Sequence, residues 1–278
     1  MKKIKKYSLL FLFLLISMYS TNNWINMMKE KDPIMKQIKE SEEKYNITPV
    51  NAEIKEDYII PGIYGISVDE KESYHNMKQY GIYNEAMTVL KEEEPELSIS
   101  NQYDKYISSG NQSKRQISFV FKVENNITNI QKVLKKEDIE VTIFIDGNLL
   151  TDNSSWIIKN NNQEFEILSF QNKYNSSFLK ASKDYLESIT NKKTKYCYTE
   201  ENNTRLLKYC AKQKLHTIKP KYIIKTNLYI TIKNNLENAS IYSIELNSET
   251  EKEYTSIIKY IKSKGYEFVS LEELLKEW

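Results

Sequence analysis

From residue 116 onward, short β-branched and aromatic runs alternate with segments whose apolar residues recur at helical spacing. That alternation constrains the fold more than any other feature of the chain. Residues 117–121, 141–145, 165–168, 195–198, 216–218, 239–244 and 266–269 read as strands. Between them the spacing predicts helices. Residues 127–136 carry Ile127, Ile130, Val133 and Leu134 on one face, and residues 251–264 carry the stripe Tyr254, Ile257, Ile258 and Ile261 before stopping at Gly265. Further helices are predicted around Trp156 and over 178–189, 204–213 and 228–236. Ser270, with Glu273 three residues later, is a capping-box pattern opening a last helix with Leu271, Leu274 and Leu275. Strands that take turns with helices pair in parallel, with the helices outside. About seven strands in about 160 residues fit an irregular (β/α)7-type barrel better than a full eight-fold one.

The first 28 residues bear on the compartment. Lys2, Lys3, Lys5 and Lys6 precede an uncharged stretch, 7–28, with its apolar centre at 9–19. At about 1.5 Å per residue a helix of that length spans a bilayer. It reads as an uncleaved signal-anchor. A cleaved signal peptide is the alternative, because the strongly apolar part is short, although Met18 and Ser20 suit a cleavage site poorly. In both cases the lysines stay inside and the bulk of the chain is extracellular, held to the cell membrane by a single pass or secreted. Cys197 and Cys210 agree with export: a disulfide there would contribute about 3 kcal/mol. Two buried thiols are the alternative.

Residues 29–48 are charged and helix-prone, with Met35, Ile38 and Tyr45 among Lys and Glu, and read as a stalk. Residues 49–112 read as a small N-terminal extracellular extension, with a turn at Pro61-Gly62, a helix over about 71–79 and a solvated acidic loop at 92–96. Residues 113–278 form the main domain. The 40 basic and 38 acidic residues are interspersed and sum to +2. No concentrated positive field results, so a nucleic-acid partner is not expected.

Three stretches carry a resemblance to the polysaccharide deacetylase (NodB-homology) family, over roughly 115–278. Val141-Thr-Ile-Phe-Ile-Asp-Gly147 resembles the family's second strand, Ala-Thr-Phe-Phe-Val-x-Gly. Glu164-Phe-Glu-Ile-Leu-Ser-Phe170 resembles Gly-His-Glu-Ile-Gly-Asn-His. Lys264-Gly-Tyr-Glu-Phe-Val-Ser-Leu-Glu-Glu-Leu-Leu275 resembles the closing strand and helix. The resemblance implies a divalent metal such as zinc, held by one Asp and two His, with a second Asp as base and a late His as acid. Each matching position here is different. Lys122 stands for the base and Val123 for the ligand Asp. Phe170 and Tyr174 stand for the two His, Tyr196, Cys197 and Tyr198 for Arg-Pro-Pro-Tyr-Gly, and Ile244, Glu245 and Leu246 for Leu-His-Asp. The resemblance therefore implies a degenerate member with no catalytic residue, metal or other cofactor. A site rebuilt from histidine would need both His75 and His216.

Other readings remain beside this one. Glu124, Asp146, Glu164, Glu166 and Glu245 are candidates for a new carboxylate site near the strand ends, or are rim carboxylates. Lys122 and Glu245 align with catalytic positions and are candidates for an ion pair across the old pocket. Tyr174, Tyr196 and Tyr198 either stack on sugar rings or, with Phe170, fill the vacated cavity. His216 reads as a core histidine. Three functions compete: a non-catalytic envelope protein binding cell-wall polysaccharide or an envelope partner, an active carbohydrate deacetylase or glycan hydrolase with a rearranged site, and a structural or adhesive surface protein.

Overall fold

The computed structural model describes residues 27–168 and 176–278, with Ser17 and Trp24. Helix α1 (Pro33–Tyr45) is followed by strands β1 (Glu53–Lys55), β2 (Tyr58–Ile60) and β3 (Gly65–Val68), helix α2 (Glu70–Lys78), and strands β4 (Leu90–Glu93) and β5 (Tyr106–Ile107). Next come β6 (Gln116–Val123), α3 (Thr128–Lys136), β7 (Thr142–Ile145), α4 (Leu150–Lys159), β8 (Glu164–Ile167) and α5 (Ser176–Thr190). The remainder is β9 (Tyr196–Tyr198), α6 (Thr204–Lys212), β10 (His216–Ile218), β11 (Tyr222–Ile224), α7 (Leu228–Asn234), β12 (Ser240–Ile244), α8 (Ser248–Ser263), β13 (Glu267–Phe268) and α9 (Leu271–Leu275).

The chain divides into two units. The smaller takes residues up to Pro49 and Tyr64–Glu94. Its α1 is not a free stalk. Ile34, Met35 and Ile38 lie on one face and are buried with Val68, Tyr74 and Met77, because a stripe at that spacing needs a partner surface. Asp32 caps the helix by accepting from the Ile34 amide at 2.9 Å, and also receives Lys78 at 2.6 Å. The acidic segment read as a loop is in part a strand: β4 pairs antiparallel with β3, Glu93 opposite Gly65. Its backbone is paired while its side chains stay exposed. Among the described residues no helix is long and apolar enough to cross a membrane. The stretch proposed to do so, 1–28, lies almost wholly outside them.

The larger unit takes Val50–Ile63 and Pro95–Trp278, which departs from a boundary at 112. β1, β2 and β5 are built into a sheet of order β1-β2-β5-β10-β9. β1 and β2 pair locally, with Lys55 opposite Tyr58, while Tyr58 also pairs with Tyr106 and Tyr106 with Thr217, partners distant in sequence. The second sheet has the order β11-β12-β6-β7-β8, all parallel, with β13 beside β6. Alternation on the strands sorts the side chains. Ile117, Phe119, Phe121, Val123, Ile143, Ile145, Phe165 and Ile167 join helix residues such as Val133, Ile157, Leu186 and Ile257 in an outer core. Val120, Phe144, Tyr196, Tyr198, Ile218 and Ile241 form an inner one.

The sheets meet through two seams. On one side the Glu166 carboxylate accepts the Lys195 amide at 2.9 Å and the Tyr196 amide at 3.2 Å. On the other, Ser109 and Ser240 form a single antiparallel bridge. The end where β6, β7 and β8 begin is closed by α9, whose Leu271, Leu274 and Leu275 belong to the inner core. Glu164 accepts from the Leu271 amide at 2.8 Å and Lys114 donates to the Glu273 carbonyl at 3.2 Å, so both ends of this short helix are satisfied. Glu277 just beyond accepts from the Gly62 amide at 2.6 Å and the Ile99 amide at 3.2 Å. Gly110 passes so close that a Cβ there would lie 2.8 Å from the Leu274 carbonyl oxygen. Cys197 on β9 and Cys210 on α6 are joined in a disulfide, packed with Leu206 and Leu215.

Candidate functional site

The strand ends opposite α9 place charge inside the larger unit. On β6 the residues alternating with the outer core are Ser118, Val120 and Lys122, so the lysine faces the interior. Its Nζ lies 2.7 Å from Glu200 Oε1, just beyond β9, and 3.2 Å from Glu124 Oε1. Its side chain is only 21% exposed. Tyr198 on β9 lies beside this pair. Its hydroxyl is 2.6 Å from Ser243 Oγ on β12 and donates to Glu200 at 3.4 Å, and its ring packs on Phe144 with centroids 5.2 Å apart. A chain of polar contacts thus links β6, β9 and β12. Burial alone would pull the Lys122 ammonium down, but the two carboxylates outweigh it and hold it above its ordinary value. Burial pushes the Tyr198 phenol up.

The other predicted positions do not gather here. Val123 belongs to the outer core and turns away from Lys122. Glu245 is half-exposed and lies 3.9 Å from Lys225, so the expected pair with Lys122 is replaced by the one with Glu200 and Glu124. Register alone would set Glu245 opposite Lys122, since Ile244 lies opposite Phe121, but β12 ends at Ile244 and Glu245 stays half-exposed, while the 200–203 turn after β9 brings a carboxylate to the lysine. Leu246 is partly buried against the outer core. Phe170 and Tyr174 lie outside the described residues. Tyr196 and Tyr198 are 6% and 3% exposed, so they fill the interior and present no ring to solvent for a sugar.

The five candidate carboxylates are scattered. Glu124 pairs with Lys122 and Asp146 accepts the Asn148 amide at 2.8 Å. Glu164 and Glu166 belong to the α9 end and the β8–β9 seam, and burial raises both, Glu164 to about 7. His216 stacks on Tyr103 at 4.5 Å, and burial pushes it down to about 4, so it is neutral at pH 7. His75 is exposed on α2. Among the described residues no three His, Cys, Asp or Glu are placed to hold a metal. A divalent ion needs deprotonated oxygen or nitrogen donors, and an ammonium and an isopropyl group are neither. The residues present do not fit the metal that the resemblance implies. Glu200 was missed by sequence reasoning. It sits in an irregular polar turn, and its only signal was that an inward lysine on a buried strand demands a counter-charge.

This architecture is that of the family 4 carbohydrate esterases, the polysaccharide deacetylase fold. The wild-type structure of a CE4 family pseudoenzyme from Bacillus anthracis superposes with a TM-score of 0.62 at 22% identity, over 89% of this chain and 96% of that one. A mutant of that pseudoenzyme, described as having restored enzymatic activity, gives 0.62 at 21% identity over 88% and 98%. PdaA of Bacillus subtilis, a family 4 carbohydrate esterase, gives 0.52 at 16% identity over 81% and 96%. The uncharacterized protein YlxY of Bacillus subtilis is 27% identical over 133 residues, which is 46% of this chain. The match spans 42% of that relative's length. No protein-family model matches the chain.

Proposed function

We propose that the chain is a catalytically inactive, deacetylase-like protein of the cell envelope that binds cell-wall glycan or an envelope partner. One observation carries this reading. At the end of β6, where the resemblance implies a base and a metal ligand, an ammonium is clamped between two carboxylates. A positive charge repels a divalent ion, and without a donor cage no water is acidified for attack on an amide. A pseudoenzyme of the same fold supports the absence of catalysis, and a carbohydrate esterase of that fold supports a glycan as the ligand class.

The finer architecture belongs to this proposal: an irregular (β/α)7-type barrel, a small N-terminal extension, and a signal-anchor within 1–28. The lysine-rich start, the apolar 9–19 stretch and a disulfide of the kind kept in oxidising compartments support a position outside the cell membrane. The test is acetate release from N-acetylated chitooligosaccharides by the full chain, with and without zinc or cobalt. Release at the buffer rate in all cases is expected; metal-dependent turnover refutes the inactive reading. Retention on insoluble peptidoglycan is expected for the glycan-binding part, and passage into the supernatant would leave the envelope partner.

A further inference from the structure

The disagreement between the residues present and the family's metal has a positive side. The strand-end interior is not short of charge. Glu200 and Glu124 both turn toward one point, and Tyr198 contributes its hydroxyl at 3.4 Å from Glu200. Two carboxylates would offer oxygen donors of the kind hard cations prefer, with the Tyr198 hydroxyl holding one of them in place, if the point between them were free. It is taken by Lys122 Nζ, at 2.7 Å and 3.2 Å from the two carboxylate oxygens.

We infer that Lys122 is a tethered cation: its ammonium does by covalent attachment what the family's metal does by coordination, neutralising the strand-end carboxylates and joining β6 to the turn after β9. This rests on the reading of the chain as a metal-free relative of the deacetylases, and it goes further by naming what took the ion's place. Geometry supports it in three ways. Lys122 lies near the end of β6 between Phe121 and Val123 of the outer core, so it shares the inner face with Val120. Neither carboxylate belongs to the family motif's ligand set as matched here, so the negative charge has moved along with the positive one. The contact network of Lys122, Glu200, Tyr198 and Ser243 spans three strands, as a coordinated ion would.

The inference predicts that removing the tether creates a vacancy for a free cation. Full-length wild type, Lys122→Met, Lys122→Arg and the double variant Lys122→Met/Glu200→Gln would be titrated with Mn2+ and Ca2+ by calorimetry, with thermal unfolding followed in parallel. Lys122→Met should unfold at a lower temperature than wild type and bind Mn2+ about tenfold or more tightly than wild type, with the ion restoring much of the lost unfolding temperature. Lys122→Arg should behave as wild type, and the double variant should lose the gained ion. Equal Mn2+ affinity in wild type and Lys122→Met overturns the inference, as does a gain that survives Glu200→Gln. If Lys122→Met does not fold, the double variant decides: folding without Mn2+ supports mutual neutralisation, and failure to fold overturns it. Metal-dependent turnover by the wild type would instead remove the inactive reading, and neither result implies the other.

Discussion

The two ends of the larger unit handle interior charge in opposite ways. At the closed end, Glu164 is bonded to backbone amides and to the Thr142 hydroxyl, and Glu166 to the Lys195 and Tyr196 amides. Burial outweighs these bonds and raises both toward the neutral acid. At the opposite strand ends, Lys122 and Glu200 answer each other and the lysine stays charged. Charge held by backbone is part of the fold's skeleton. Charge held by a second side chain can be exchanged in pairs, which makes the Lys122 end the one where chemistry can be gained or lost.

The sharpest way to break this contrast is to open the closed end. Leu274 is fully buried in α9, and Leu274→Ala should cost about 2–5 kcal/mol in denaturant unfolding. A cost under about 1 kcal/mol would mean that α9 is an ornament and not a closure. Next in size is a pH effect. Glu164 is raised from 4.5 to about 7 by burial. Over that interval the folded chain binds a proton that the unfolded chain releases, so this contribution is fully present below about 4.5 and is lost as pH rises through about 7. Urea unfolding of wild type and Glu164→Gln at pH 5 and pH 8 should show wild type losing ground to the variant at the higher pH. Parallel behaviour would place Glu164 in an ordinary solvated setting.

The Lys122 end should give smaller numbers. A double-mutant cycle on Lys122→Met and Glu200→Gln should yield a coupling of about 1 kcal/mol, because the pair retains some solvent. No coupling would erase the distinction between the ends. Smallest of all is Glu245→Gln, where a half-exposed contact of 3.9 Å with Lys225 should leave the unfolding midpoint unchanged. A clear drop would return Glu245 to the site that the alignment assigned it.

The helical layer and the parallel sheet were legible because periodicity is local: the stripe Tyr254, Ile257, Ile258 and Ile261 is buried in α8 as its spacing requires. β2, β5 and β11 were not. Each is two or three residues long, and although β2 pairs with its neighbour β1, its place in the sheet, like those of β5 and β11, depends on partners beyond the window that periodicity reads. The same limit applies to the site. Lys122 was found because it falls at a motif position, and the loss of metal-ligand chemistry could be read residue by residue. Its partner could not be, since Glu200 reaches it across 78 positions of chain. The motif match pointed to Glu245, but which carboxylate meets the lysine is decided by where β12 ends and by the turn after β9.

Glu277 ties together pieces of chain made at very different times. Gly62 and Ile99 leave the ribosome early, yet the carboxylate that receives their amides is 215 and 178 positions further on. Until it arrives, those donors must be served by water, and α9 cannot seat its leucines. Completion of this fold is therefore a late event in synthesis, with contacts of high sequence separation formed last.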